Sequence, residues 1–289
     1  MKSLVKKLAN TNIGILLRNS FNFKPVSTKF IEKNYPVSVS DAFLWRTDNG
    51  YKTKFKYSDI LNLFYKIKNS WVEFHFYSKN NELIKIEKVN NLNLSNELEI
   101  NPKYLNNLKD YGTFYIYHFS ENTNNLNNKD VISNRCYSGY SQNNNLYSFV
   151  HGNTLGKFTS IFSKENILTD IVKTSLFQNH TYTIQKYFEN FDKNELFFIN
   201  PTSKTIKFSI ENKNFELKPN YLLLVEIKSS IISIKSNCLF FRPTIFSYKG
   251  KYLDVNKGRK RCVGGVRKNL TKVKYEHSCI GKIYKCLLT

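Results

Sequence analysis

WVEFHFYSKNNELIKIEKV, residues 71–89, decides how the chain is read. Val72, Phe74 and Phe76 alternate with Glu73, His75 and Tyr77, the period of two that marks a strand with one face toward a core. Lys79, Asn80 and Asn81 then form a turn, and Leu83, Ile84 and Ile86 resume the apolar pattern, so 71–88 reads as a β-hairpin. Downstream come NELEINPKYL at 96–105 and YGTFYIYHF at 111–119, the latter alternating Phe114 and Ile116 with Tyr115 and Tyr117.

The same order returns after residue 180. ELFFINPTSKTIKFSIEN (195–212) reads as strand, Asn-Pro-Thr-Ser turn and strand. KNFELKPNYL (213–222) matches 96–105, pairing Glu99 with Glu216, Pro102 with Pro219, Tyr104 with Tyr221 and Leu105 with Leu222. SNCLFFRP (236–243) stands where YGTFYIYH stood. Each proline lacks an N–H and fixes φ, so it suits a strand end or sheet edge. The expected fold class is all-β: two similar antiparallel β-sandwich units in tandem, with a short N-terminal helix, a connecting helix and an irregular basic C-terminal tail. The expected divisions are an N-terminal basic helical segment at 1–35, a first sandwich with its junction segment at 36–160, a connecting helix and second sandwich at 161–256, and a tail at 257–289.

Composition agrees with β structure. Among 289 residues there are 23 Phe and 19 Tyr but only two alanines, Ala9 and Ala42, so aromatic strand formers outweigh the best helix former. A hydrophobic content of 41% excludes wholesale disorder, and no apolar run reaches the length of a membrane helix. Collagen, coiled-coil and disulfide-scaffold compositions are absent. Two short helices are expected inside the β pattern. One lies within 57–66, with Ile60, Leu61 and Phe64; the other, SKENILTDIVKTS (163–175), carries Ile167, Leu168, Ile171 and Val172 at helical spacing and would connect the sandwiches. At the start of the chain Leu4, Val5, Leu8, Ile15 and Leu16 form one side of a basic amphipathic helix, which either packs on the body or lies on a membrane surface.

The formal charge of +22 is carried mainly by the ends: net +6 over 1–35, +10 over 249–289, and +6 over the 213 residues between them. Nucleic-acid or lipid binding by charge alone therefore rests on the termini. The tail KGRKRCVGGVRKNLTKVKYEHSCIGKIYKCLLT holds three of the seven arginines and three of the five cysteines. It reads either as a phosphate-binding arm or as a frame-shifted, non-homologous extension. Five cysteines without a CxxC pair and without a secretory signal suggest a reducing, cytoplasmic setting.

SDAFLWRTDNGYKTKF (40–55), YGTFYIYH, the RCYSGYS and SFVHGN stretches within 135–153, and IKSNCLFFRPTIF (234–246) together resemble a family of tandem β-sandwich proteins of marine bacteria, over about 36–256. The second hairpin, its proline motif and its I-x-S-N strand also resemble the sandwich of the sensory-rhodopsin transducer family, over about 180–246. That second resemblance implies a soluble accessory or ligand-binding role. Neither family supplies a catalytic set.

Phosphate-loop, dinucleotide, zinc-protease, serine-hydrolase and EF-hand signatures are missing, so no catalytic residue and no cofactor is assigned. The main ligand-binding candidate is the junction 134–154. Arg135 there is a clamp for a carboxylate or phosphate, Tyr137 and Tyr140 are stacking rings with O–H donors, His151 is a proton carrier and Asn153 a hydrogen-bonding group. The alternative is an inter-domain strand pair with glycine turns. A second candidate is Trp45, Arg46 and Asp48, either a carbohydrate platform or a core tryptophan beside a D-N-G turn. His75 with His118 lack a third ligand, and Cys262, His277, Cys279 and Cys286 have the atoms but not the spacings of a metal site, so no metal site is assigned. The resulting expectation is a non-enzymatic binding or scaffold protein for a carbohydrate-like or acidic small molecule, a glycan or a protein partner. An enzyme acting on cell-surface glycan precursors, and a nucleic-acid binder working through basic termini, are the alternatives.

Overall fold

A computed structural model describes residues 35–262, leaving out 123, 129, 134–135, 153–154, 163–167, 173, 175–178, 186–187, 229–230, 239–240 and 258–260, together with Thr11, Ile13, Gly14 and Leu17. The N-terminal segment and the basic tail, with His277, Cys279 and Cys286, therefore fall almost wholly outside the described residues. Ile13, Gly14 and Leu17 are helical.

The protein is 56% strand and 7% helix, as the aromatic, alanine-poor composition predicts. Its strands form five sheets. Sheet I orders β12 (Thr169–Asp170), β11 (Leu155–Ser160), β1 (Val37–Asp41) and β8 (Val131–Ser133). Sheet II orders β2 (Phe43–Arg46), β7 (Tyr111–Ser120), β4 (Ser70–Ser78) and β5 (Leu83–Val89). Sheet III orders β10 (Ser148–His151), β9 (Tyr137–Gln142), β3 (Tyr51–Tyr57) and β6 (Asn96–Ile100). Sheet IV orders β16 (Lys213–Leu217), β15 (Ile206–Ile210), β18 (Ile231–Ser236), β13 (His180–Gln185) and β21 (Arg261–Cys262). Sheet V orders β17 (Leu222–Ile227), β14 (Lys193–Ile199), β19 (Thr244–Lys249) and β20 (Tyr252–Lys257). The ladders are antiparallel except for β1 beside β8.

The expected pair of tandem sandwiches is corrected: the five sheets are set as five blades. In none of them do the strands follow one another in simple sequence order. The physical reason lies in the middle sheets, which bury both faces. In sheet V, Leu196, Phe198 and Ile245 join the cluster with Phe208 and Ile234 of sheet IV. From the same sheet Phe197, Ile199 and Phe246 join a second cluster with Leu44, Tyr115 and Tyr117 of sheet II and Tyr51 and Tyr140 of sheet III. Sheet II turns Phe74, Phe76 and Phe114 the other way, against Phe55 and Ile100 of sheet III. A sandwich standing beside another would leave its outer faces to water.

Sheet I continues sheet II by an unusual device. The N–H groups of Ile116 and His118 on β7 donate to the hydroxyls of Ser40 (2.9 Å) and Ser38 (2.7 Å) on β1, so buried side-chain oxygens serve where a neighbouring strand would offer carbonyls.

The hairpin expected over 71–88 is the β4–β5 pair, and the helix expected within 57–66 is α1 (Ile60–Tyr65), whose N-cap Asp59 accepts from the Asn62 N–H. Two other expectations are corrected. The connecting helix is absent from 168–172, where the chain is β12 and a bend. Ile171 packs with Val37 and Phe158 while its neighbour Val172 packs with Phe198 and Ile234, and adjacent residues with opposite destinations need extended chain. Of the aromatic strand expected at 236–243, Ser236 ends β18, Cys238 makes an isolated bridge to Thr174, and 241–243 are not in a strand, while 239–240 lie outside the described residues. The strands beside β14 are β17 and β19, the latter placed later in the chain because β17 and β18 intervene.

Candidate functional site

The Asp48-Asn49-Gly50 turn hands the chain from sheet II to sheet III, with φ of 46° at Asn49 and 77° at Gly50 and a Tyr51 N–H to Asp48 C=O bond of 2.8 Å. It sends the second candidate set inward. Trp45 is fully buried and its Nε1 donates to the Tyr77 carbonyl at 2.9 Å, so its ring offers no plane to a sugar. Arg46 is 2% exposed. Its Nε meets Asp48 Oδ1 at 2.7 Å and its Nη1 meets Glu195 Oε2 at 2.6 Å and the Tyr248 hydroxyl at 2.8 Å. The guanidinium lies over the Tyr51 ring at 4.0 Å, and the Tyr51 hydroxyl donates to that of Tyr248. Lys193 Nζ closes the set on Glu195 Oε1 at 2.8 Å.

Two cations here face three carboxylates, because Lys193 Nζ also meets the exposed Glu226 Oε1 at 2.8 Å. Burial works against the charged form of Arg46, yet the Asp48 hydrogen bond with Tyr248, Asp48 and Glu195 holds its pKa above the ordinary value. Burial also pushes the Glu195 carboxyl up, but Arg46, Lys193 and Tyr248 outweigh it and hold the group below the usual range. Burial raises the Tyr51 phenol to about 12. Arg46 and Glu195 at its centre are buried and already paired, so the cluster is a joint between residues 46–51 and sheet V.

The junction candidates separate. Arg135 and Asn153 lie outside the described residues. Tyr140 is buried, its ring 4.8 Å from Phe246 and its hydroxyl bonded to the Leu44 carbonyl at 2.8 Å. Tyr137 and His151 are directly paired across β9 and β10, and their rings sit 4.2 Å apart on the exposed face of sheet III. The odd and even positions of β9 divide the two tyrosines, since 137 and 140 differ by three residues and a strand alternates its faces by two.

That exposed face is organised in stripes. On β3, the lysines at 52, 54 and 56 alternate with buried Thr53 and Phe55. Lys56 stands opposite Tyr137, and Lys54 opposite Gly139. Beyond Gly139, the Phe149 ring of β10 packs against the glycine, where an added Cβ would meet ring carbons at 2.5–2.8 Å. Tyr137 is 43% and Phe149 40% exposed. Tyr147 adds a ring 6.0 Å from Phe149, with Lys54 Nζ over it at 4.9 Å and Lys56 Nζ over Phe149 at 5.3 Å. On the other side, β6 places Glu97 and Glu99 opposite Lys56 and Lys54. Glu97 holds Lys54 at 2.6 Å and Lys56 at 3.7 Å. Carboxylates, ammonium groups and aromatic rings thus follow one another across four strands. Reading the sequence alone missed Lys52, Lys54, Lys56 and Phe149, although the alternation in YKTKFKY was the signal for a basic strand face.

His75 and His118 do not meet. His118 is opposite Val72 and His75 opposite Tyr115, which puts them on opposite faces of sheet II. His75 meets Glu73 at 3.3 Å, and burial lowers the His118 pKa to about 4. Among the described residues no group of three His, Cys, Asp or Glu side chains is placed to hold a metal ion, and no helix is long and apolar enough to cross a membrane.

No family model, no curated protein and no solved structure matches this chain.

Proposed function

We propose that this is a non-enzymatic binding protein whose ligand, a sugar-bearing or acidic molecule, lies on the exposed face of sheet III around Tyr137, Phe149 and His151. The observation that supports the reading is the pairing on one exposed sheet face of aromatic rings with the β3 lysine stripe. Exposed rings supply stacking area, and ammonium groups supply attraction for an acid. Arg46 and Glu195 at the centre of the joint are buried and already paired, which argues for the face over the joint.

The test is thermal unfolding of the full chain against a panel of sugars, nucleotide sugars, carboxylates and short oligonucleotides. A ligand at a hundredfold its Kd adds about 2.7 kcal/mol and raises the Tm. The shift should vanish in Tyr137→Ala. A shift that persists in that variant places the ligand elsewhere, and no shift with any compound counts against the reading.

A protein partner is the second reading, favoured by β5. It ends sheet II and exposes Leu83 (55%) and Ile86 (51%) beside an unshared ladder edge. Leu83→Lys with Ile86→Lys should then abolish capture of the partner without lowering the Tm.

A further inference from the structure

We infer that the molecule held by the sheet III face is a single-stranded nucleic acid. This rests on the reading that the face is the binding site and names the chemical class of its ligand. Three features converge. Lysines 52, 54 and 56 all lie on the outer side of β3, and side chains two residues apart on a strand stand about 6.8 Å apart. That interval is close to the step between successive phosphates of an unstacked strand. A lysine is a point charge suited to phosphate, whereas planar carboxylate recognition favours the arginine fork, and among the described residues no arginine lies on this face.

Beside the lysine stripe stand Tyr137 with His151, and Phe149 with Tyr147, as two ring pairs at centroid separations of 4.2 and 6.0 Å. Tyr, Phe and His are the side chains on which splayed bases stack, and a sheet face interleaving them with cations is how single strands are held without reading sequence. A neutral sugar would use the rings and leave the lysines without a role. A duplex would present stacked, paired bases to rings that need an open base face.

Glu97 and Glu99 define the path. They would repel phosphates over β6, so the backbone follows β3 and the bases turn toward β9 and β10. Glu97 also occupies Lys54 and Lys56, so it competes with the ligand. Removing its charge should therefore strengthen binding, a gain that no folding defect can imitate.

The experiment is fluorescence anisotropy on the full chain with a short labelled oligothymidylate, its duplex with oligoadenylate, and alginate as a polyanion without bases. The expected result is binding of the single strand over both controls, with a slope of log K against log salt of about −2 for three phosphate contacts. Phe149→Ala should weaken binding about tenfold at unchanged Tm, Lys56→Gln should flatten the salt slope, and Glu97→Gln should tighten binding several-fold. Equal binding of oligonucleotide, duplex and alginate overturns the inference in favour of bare charge attraction. So does oligonucleotide binding indifferent to all three substitutions, which would locate it off this face. A sugar or small acid that binds in a Tyr137-dependent way while the oligonucleotide does not leaves the proposed site standing and removes only its ligand class. Failure of every compound removes both.

Discussion

The Arg46 joint and the sheet III face are built from one strand passage, residues 46–56, and their fates are opposite. Arg46 and Tyr51 point into the space shared with sheet V, where Glu195 and Tyr248 meet them. One residue later the lysines of β3 begin to point to water. Both regions mix cationic and aromatic side chains, and the residue types alone do not separate a structural cluster from a binding surface. Saturation does. In the joint Arg46 and Glu195 are buried against each other; on the face two carboxylates stand against three lysines and the rings keep much of their area exposed.

The comparison can be broken most forcefully at Arg46. Arg46→Leu takes from the nearly buried Glu195 carboxylate its buried cation and leaves it to the half-exposed Lys193 and the Tyr248 hydroxyl, and the expected loss is about 3 kcal/mol in urea unfolding, with ligand affinity at the sheet III face unchanged. Much of that loss should return in Arg46→Leu with Glu195→Leu, because the carboxylate that lost its buried cation is then gone. An equal loss in the double variant would show that packing, not charge pairing, holds the joint.

Acid tests the interior next. His118 is buried in its neutral form with a pKa near 4, against 6.5 when unfolded, so the unfolded chain takes up its proton first. Its contribution is fully present above pH 6.5 and is lost as the pH falls toward 4, about 3 kcal/mol in all. Stability measured across that window should decline less in His118→Leu than in the parent protein. Parallel declines would place the acid sensitivity in His75, whose pKa burial also lowers, since Glu195, held below its usual range, is lost only at lower pH.

Gly139→Ala sharpens the comparison from the other side. The atoms nearest to the new methyl group belong to the Phe149 ring, the movable end of a side chain on an edge strand. The ring should swing away at a stability cost below about 1 kcal/mol while ligand affinity falls. The smallest effect belongs to Tyr137→Ala, within about 0.5 kcal/mol in stability, and its measurable consequence is lost binding. A large drop in Tm for either variant would mean that the face is structural like the joint.

The matched segments NELEINPKYL and KNFELKPNYL show how far sequence reasoning reached. In both the proline falls just past a strand end, as read, with a 3-10 turn at Lys103–Leu105 in the first and a turn at 219–220 in the second. Yet β6 pairs with β3 in sheet III, while β16 makes a hairpin with β15 in sheet IV. Leu105 sinks into the cluster between sheets II and III; Leu222 enters the cluster shared with sheet V, and its N–H bonds to the Lys79 carbonyl, 143 residues earlier in the chain. Similar local patterns specify similar local conformations and leave the pairing partner open, because strand pairing is decided by residues far away in sequence. Tyr137 and His151 were legible as candidates from their chemistry. Lys54, Lys56 and Phe149 were not, since their relevance depends on which strands become neighbours of β9.

By itself the sequence determined that the chain folds mainly as strands, where the 71–88 hairpin, the short helix after Tyr57 and the Asp48-Asn49-Gly50 turn fall, and that Trp45 stands beside that turn. These follow from alternation, capping and positive-φ chemistry, all of which act within a few residues. Only the tertiary structure decided that the sheets number five and stand as blades, that Arg46 is buried against Glu195, and that lysines and rings from three separate segments share one exposed face. Those outcomes depend on which faces find apolar cover, a property of the whole assembled molecule and not of any stretch of it.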